Sequence, residues 1–485
     1  MANDPLSLDE PHEWAGVWWL PAYPDDRVPG VLRYEREKGL TLTLIGAFED
    51  RQMSTLESGL VAVHEDSLDW SVIHGAADQL AITLLDCFPN GTHRKFGGQV
   101  QSPDKQTVVA LTALVGVHAD GNHDPVFCAT EVSVEDLGTW AARSPFENGF
   151  IGAPGGRMDG SGSISAKPME ESSVDFDSTV YTLAHRRFAP SFDHRRGGTT
   201  GHIRDTTYVR IAPAEPCSLQ DAISAARSIQ DLVSLATHRA AGVNWLRLRL
   251  AGEERMPRVE VLYSPAVIGE AAGKAIDSRR VFFTCDDLAF EEVLPRWCEV
   301  RERLLPAMNL VLGLRYAPKQ YLESRLLMAT GAAEALHRRL GIDALQMPKS
   351  EFRAMRSAML ELAPEDQRER LQNAIRNDMT LRDRLRALAT RPDQEAMAAL
   401  VPDVERWAGR TVNARNDLAH EGDTPRHSIE ELVAVVDVTA AVVTLNLLQE
   451  LGLPAERQQK IVREHPQLSM TARKARETLT TPPSD

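Results

Sequence analysis

The sequence predicts a multidomain α+β protein: a β-rich N-terminal region of two lobes built on antiparallel sheets, followed by a C-terminal all-α helical bundle. Three observations predict it. A chain of 485 residues exceeds what one hydrophobic core ordinarily organises. Up to about residue 285 the apolar runs are short, alternating and punctuated by Gly, Pro and Asn, the pattern of strands and turns. Beyond about Leu288 they lengthen and recur at three- and four-residue spacing, the pattern of amphipathic helices.

Taken in order, "GVWWL", "GVLRYE", "LTLTLIGAF", "LAITLLDCF", "TVVALTALVGVHA" and "VFCATEVSV" are strands of a sandwich or barrel occupying residues 1–145. "ENGFIGAPGGRMDGSGSISAKP" is rich in Gly and Ser and predicts a long loop or flexible junction over residues 146–171. A second β-containing lobe spans 172–288, with strands in "STVYTLAHRRF", "TTYVRIAP", "VNWLRLRLA", "PRVEVLYSP" and "RVFFTC". One helix, Ser218 to Thr237, interrupts them; Ser218 can cap it and Asp221 sits in its first turn. Helices are expected near 289–312, 319–340, 350–362, 366–391, 402–419 and 428–451. In the second, Leu322, Leu326, Leu327, Ala329, Ala333 and Leu336 form one apolar stripe. Short connections between such helices make an antiparallel bundle over 289–453. The remainder, 454–485, is expected to be a partly disordered tail.

Charge narrows the function classes. The net charge is −15, which argues against a protein that coats nucleic acid generally, because affinity for phosphates comes mainly from Lys and Arg. The excess is uneven: residues 301–485 carry 27 basic and 26 acidic groups, the first 300 carry 27 and 43. Only the C-terminal part approaches RNA without a large electrostatic penalty.

Five scattered cysteines with no C-x-x-C pair suggest free thiols in a reducing compartment. The N-terminus lacks the basic start and apolar run of a secretory signal. "LVAVVDVTAAVVTLNLL", from Leu432, carries Asp437 and Asn446 and falls short of the ~20 residues of a membrane span. The protein is expected to be soluble and cytoplasmic, with no membrane partner.

The segment "RTVNARNDLAHEG", Arg410 to Gly422, holds Arg415 and His420. An Arg followed after four to six residues by a His is uninformative as a string. Random placement of these residue types gives about four pairs, and four are present. Context separates them. Arg415 lies near the end of an expected helix that Asp403 can cap and Gly422 can terminate, between apolar helices that make a rigid scaffold. Asn416 and His420, four apart, share a helix face, so the Asn amide could hold the imidazole. Arg415 and His420 are about 140° apart on an ideal helix, so their heads diverge unless the helix ends between them.

"RNDLAH" resembles the arginine-histidine motif of HEPN ribonucleases, in which a polar residue, often Asn, follows the Arg. "YLESRLLMATGAAEALHRRLG" and "NAIRNDMTLRDRLRAL" are similar to the early bundle helices of the ApeA-type group of bacterial anti-phage HEPN proteins. "WAGVWWLPAYPDDRVPGVLRYEREKGLTLTLIGAF", with its Trp-Trp-x-Pro element at Trp18 to Pro21, is similar to that group's N-terminal domain. Trp18 and Trp19 themselves read as packing and partner-facing residues of a sheet.

The resemblance implies an endoribonuclease acting in abortive infection without metal or cofactor, with RNA, tRNA included, as substrate. Arg415 and His420 would be catalytic and Asn416 supporting. Glu334, in a position like the acidic one on an early family bundle helix, would also support. The motif is usually paired across a homodimer, so two copies would line one cleft, and a phage-derived trigger would act at a restraining N-terminal region. His suits proton transfer near neutrality, and a planar, permanently charged Arg suits a developing phosphorane.

A rival set is His185, Arg187, His194, Arg195, Arg196 and His202, where Pro190 and Gly197-Gly198 favour a loop. It reads as a solvated loop, an anion-binding or partner surface, or, less favoured, a metal site, since loop spacing fixes no ligand geometry. The alternative function is a non-catalytic regulator, a β-rich sensor joined to a helical dimerisation bundle that binds nucleotide, RNA or protein.

Overall fold

The computed structural model describes residues 4–48, 52–55, 61–64, 70–93, 103–152, 158–252, 258–264, 275–342, 347–422 and 424–480. The chain divides into two compact units, one of Met1–Val233 with Ala241–Ala275, the other of Ser234–Ala240 with Ile276–Asp485.

The first unit contains the strands β1 (His12–Trp19), β2 (Val28–Glu35), β3 (Gly39–Ile45), β4 (Gln52–Thr55), β5 (Val61–His64), β6 (Val72–Ala77), β7 (Leu80–His93), β8 (Lys105–Val115) and β9 (Phe127–Val134). After the short helix α1 (Leu137–Trp140) come β10 (Phe146–Gly152), β11 (Met158–Ala166), β12 (Ser172–Phe176), β13 (Thr179–Arg187), β14 (Ser191–Arg195), β15 (Gly198–His202) and β16 (Asp205–Pro213). Helix α2 (Leu219–Thr237) precedes β17 (Val243–Leu250) and β18 (Arg258–Tyr263).

Twelve of these strands form one sheet in the order β12-β13-β16-β9-β17-β18-β8-β3-β2-β1-β6-β7, and β7 returns to pair with β8. That last pairing closes the six strands from β8 to β7 into a barrel, removing the open edges of a sheet. Alternation explains the inward face: Leu40, Leu42 and Leu44 of β3 are fully buried, as are Leu32 and Tyr34 of β2, while Thr41 and Thr43 point the other way and are part-exposed. Trp18 is buried on Gly75 of β6, where a Cβ would overlap the indole. In β17, Leu246 and Leu248 face the core, and the intervening basic residues are held by acids on neighbouring strands. Arg247 Nε donates to Glu260 at 2.6 Å, and Arg249 Nε donates to Glu131 at 3.0 Å. Helix α2 starts on a reciprocal cap in which Ser218 Oγ accepts from Asp221 N–H at 3.2 Å and the Asp221 carboxylate accepts from Ser218 N–H at 3.3 Å.

Three expectations for this region are corrected. The two lobes expected at 1–145 and 172–288 share the one sheet, because β9 pairs with both β16 and β17, and β18 pairs with β8. The Gly/Ser-rich junction at 146–171 is a hairpin of β10 and β11, with residues 153–157 outside those described; Gly and Ser lower strand propensity without preventing a ladder. The segment "RVFFTC" is not a strand. Phe282 N–H donates to Ala236 O at 2.7 Å, and Arg457 donates to Phe282 O at 2.8 Å and to Val281 O at 3.1 Å. A helix end and a guanidinium therefore satisfy backbone groups that a ladder would have used.

The second unit contains α3 (Phe290–Tyr316), α4 (Leu322–Arg339), α5 (Lys349–Leu362), α6 (Glu365–Ala374), α7 (Leu381–Ala389), α8 (Gln394–Leu400), α9 (Val404–Glu421), α10 (Ile429–Glu450), α11 (Ala455–Glu464) and α12 (Pro466–Thr478). Helix α10 is the core element. Its 22 residues and mean hydropathy of 1.9 pass the length and composition test for a membrane span, contrary to the sequence expectation, but 78% of that window is buried against the other helices. Trp407 of α9 is fully buried and its Nε1–H donates to Thr439 Oγ1 of α10 at 3.2 Å.

The single helix expected over 366–391 is two, since Thr380 and Asp383 form a capping box that starts α7. The tail expected to be partly disordered over 454–485 is helical to Thr478. Ile461, Val462, Leu468, Ala472 and Ala475 supply a buried stripe that the many charges of "TARKARE" conceal.

Candidate active site at the end of helix α9

Asp403 caps α9, its carboxylate accepting from Arg406 N–H at 2.9 Å. At the other end Gly422 adopts φ 72° and donates its N–H to Leu418 O at 3.1 Å, a left-handed terminus that Gly adopts without strain. Between these caps the helix carries Arg415, Asn416 and Asp417 in one turn and His420 in its last.

Arg415 is part-exposed. Its Nη2 lies 4.0 Å from Glu334 Oε1 of α4, and its Nη1–H donates to Asn416 Oδ1 at 3.4 Å. Glu334 is shared: its other oxygen lies 3.9 Å from Arg338. The structure thus brings Glu334, Asn416 and Arg415 together. Among the described residues Asn416 makes no hydrogen bond to His420, contrary to the expectation from their shared face. The Asn416 carbonyl instead accepts from the adjacent guanidinium. His420 is solvent-exposed beside the carbonyl end of the helix.

Beneath these exposed groups lies a charged cluster that motif reading missed. Asp417 is buried, with a side chain 2% exposed. Arg426 clasps it through Nε at 2.9 Å and through Nη2. His427, 1% exposed, places Nε2 at 3.8 Å from Asp417 and Nδ1 at 3.3 Å from Glu431, and Glu431 also meets Arg410 Nε at 3.1 Å. Ser428 caps α10, accepting from Glu431 N–H at 3.2 Å. The cluster therefore ties the end of α9 to the start of α10, leaving Arg415 and His420 outside it. His427 and Glu431, four residues apart at a capped helix start, were the available sequence signal.

The rival basic set is strand, not loop: β14 and β15 pair from Ser191↔His202 to Arg195↔Gly198, and Arg196 with Gly197 makes the two-residue turn. His185 is buried against Asp205, Nδ1 to Oδ2 at 2.9 Å. Arg187 donates to Ala166 O at 3.5 Å, His194 meets Thr199 Oγ1 at 3.0 Å, and Arg195 pairs with Asp193 at 2.7 Å. Arg196 and His202 are exposed.

Residues 13–297 match the family described as ApeA N-terminal domain 1, and residues 327–457 match Apea-like HEPN. The chain belongs to the ApeA-like HEPN family. No curated protein and no solved structure matches it. Membership makes it a HEPN-type effector of anti-phage defence by abortive infection, in a family whose HEPN domain is typically a ribonuclease. Glu334, Arg415 and His420 all fall inside the matched HEPN span, and the strands of the closed barrel, apart from His12 at the start of β1, fall inside the other.

Proposed function

We propose that this ApeA-like HEPN protein is an endoribonuclease that cleaves RNA, tRNA or another structured RNA loop, in the cytoplasm of an infected cell. The single observation that supports this reading most is the placement of Arg415 and His420. They are accessible at the end of a helix whose terminus is held by a buried charged cluster, which limits motion of the groups they carry.

The ribose 2′-oxygen attacks the adjacent phosphorus as the bond to the 5′-oxygen breaks. One group takes the 2′-OH proton and one supplies a proton to the leaving oxygen, so a cyclic phosphate and a free 5′-OH result. His420 carries the proton work, and Arg415 stabilises charge on the equatorial oxygens. Glu334 and Asn416 orient the guanidinium. An unpaired loop suits the site, since its 2′-OH and phosphate are free to reach in-line geometry.

Because one Arg and one His are few for these tasks, two chains combine their pairs in a homodimer. Helices α5 and α6 bury no residue of their own and expose Met355, Met359, Leu362 and Leu371, apolar surface that a second copy would cover. The N-terminal unit restrains this activity until a phage-derived trigger releases it.

The test is digestion of tRNA by pure protein in EDTA, with His420→Ala and Arg415→Ala alongside. Cleavage lost in both variants is expected; undiminished cleavage by both sinks the assignment. Intact RNA that is nevertheless bound by the unaltered protein would favour a non-catalytic regulator.

A further inference from the structure

Between His185 and Arg204 lie five arginines, three histidines and one aspartate, a basic island in the acidic N-terminal unit. The chain leaves β13, runs through the exposed β14-β15 hairpin and re-enters the sheet at β16. Phe188 N–H donates to Arg204 O at 3.0 Å, which fixes the two residues opposite one another where the hairpin joins the sheet.

A cavity of about 550 Å³ opens at this junction, with walls that include the carboxylates of Asp4 and Asp205 as well as Phe146, Phe188, His202 and Arg204. The Arg204 guanidinium lies 4.9 Å from the centre of the Phe188 ring and that of Arg186 5.6 Å from it. The wall is set from behind by the His185 to Asp205 pair, whose side chains are 4% and 5% exposed. In that pair His185 Nε2 and Asp205 Oδ1 have no hydrogen-bond partner among the described residues. Burial, then the like charges of Arg247 and Arg258, lowers the Arg186 pKa from its usual value, with Asp4 and Glu131 opposing the shift.

An apolar peptide segment would desolvate Arg204 and His202 without giving them an anion, and an acidic peptide would not use the Phe188 face. A nucleotide uses both: a flat base for the ring and a phosphate for the Arg204 guanidinium and the His202 imidazole, in a volume typical of small-molecule sites. We propose that this cavity binds an unpaired nucleotide of an RNA strand, with the base against Phe188 and the phosphate at Arg204 and His202. The exposed Phe192, 70% accessible and stacked on His194 at 6.3 Å, offers a second platform for the next base along the hairpin. Aromatic and guanidinium planes alternating in this way are how unpaired strands are held without strict sequence preference. The site rests on the reading that RNA is the substrate, and it supplies grip on the strand rather than chemistry.

The experiment measures binding of a short fluorescent single-stranded RNA to the full-length His420→Ala protein, in which RNA stays intact. Phe188→Leu keeps an apolar residue and removes the stack, and Arg204→Gln alters an exposed position; both are checked by thermal melting against the parent. Each is expected to weaken binding about tenfold, and irradiated 5-bromouridine RNA is expected to crosslink within 185–205. Unchanged affinity in both folded variants, or crosslinks confined to other segments, overturns the site. Displacement of the RNA by AMP at equal affinity overturns the RNA assignment in favour of a free nucleotide. If the strand binds through Phe188 but the unaltered protein never cuts it, the nuclease reading fails while this site stands; cutting with indifferent variants gives the reverse.

Discussion

Arg426 clasps Asp417 through two nitrogens, one at 2.9 Å, three residues before His420 on the same helix. The acid is buried and the arginine is 65% exposed, so a surface cation neutralises an interior charge directly below the Arg415 to His420 surface.

Arg426→Ala is therefore expected to cost about 1–3 kcal/mol in urea denaturation, below the ~3–5 kcal/mol of breaking a fully buried pair, because the arginine is largely solvated and His427 remains near the stranded carboxylate. Asp417→Asn keeps the shape and loses the charge. It should reduce RNA cleavage more than it lowers the urea midpoint if the cluster holds the end of α9 in place. A proportional loss of both would show that the cluster serves stability alone.

Glu334→Gln removes the charge 4.0 Å from Arg415 and 3.9 Å from Arg338. Both pairs are at least partly solvated, so the stability change should stay below about 1 kcal/mol. Cleavage should fall several-fold through kcat, with KM for RNA little altered. A change confined to KM would move Glu334 from orienting the guanidinium to binding substrate.

Gly75→Ala is expected to destabilise the N-terminal unit by about 3 kcal/mol, since the added Cβ overlaps the fully buried Trp18 ring. Pairing it with Trp18→Leu should recover part of that loss in a double-mutant cycle. Strict additivity would show that the strands separate rather than clash.

In the helical unit, desolvation first and then Arg315 push the His465 pKa down to about 4, and desolvation holds His238 well below its ordinary 6.5. Both folded values lie below the unfolded one, so the unfolded chain binds more protons in this window and stability rises with pH. The contribution is complete above about pH 6.5 and is lost progressively as pH falls from there toward 4. Thermal midpoints recorded across that range should decline, and His465→Gln should flatten the decline. An unchanged slope in that variant would place the acid sensitivity elsewhere.

Local patterns in the sequence foretold much of this. Alternation in "LTLTLI" put Leu40, Leu42 and Leu44 inside, and three-four spacing located α4, α9 and α10 to within a few residues. Asp403 and Gly422 marked the two ends of α9, because a side-chain cap and a left-handed Gly act within a few residues of chain. The same locality explains the misses: Thr380 with Asp383 splits one expected helix into two, and the stripe of α12 is hidden among charges.

By itself the sequence determined that the chain is β-rich up to about residue 285 and helical beyond it, where α9 begins and stops, and the family through motifs that are contiguous in the chain. Only the tertiary structure decided that the expected lobes share one sheet, since Glu260 pairs with Val115 and Arg247 with Glu131 across more than a hundred residues. It alone set Glu334 beside Arg415 and enclosed Asp417 between Arg426 and His427. Hydrogen bonds and side-chain periods operate within a turn or a strand, whereas strand partners and buried charge clusters depend on which distant surfaces meet when the core closes.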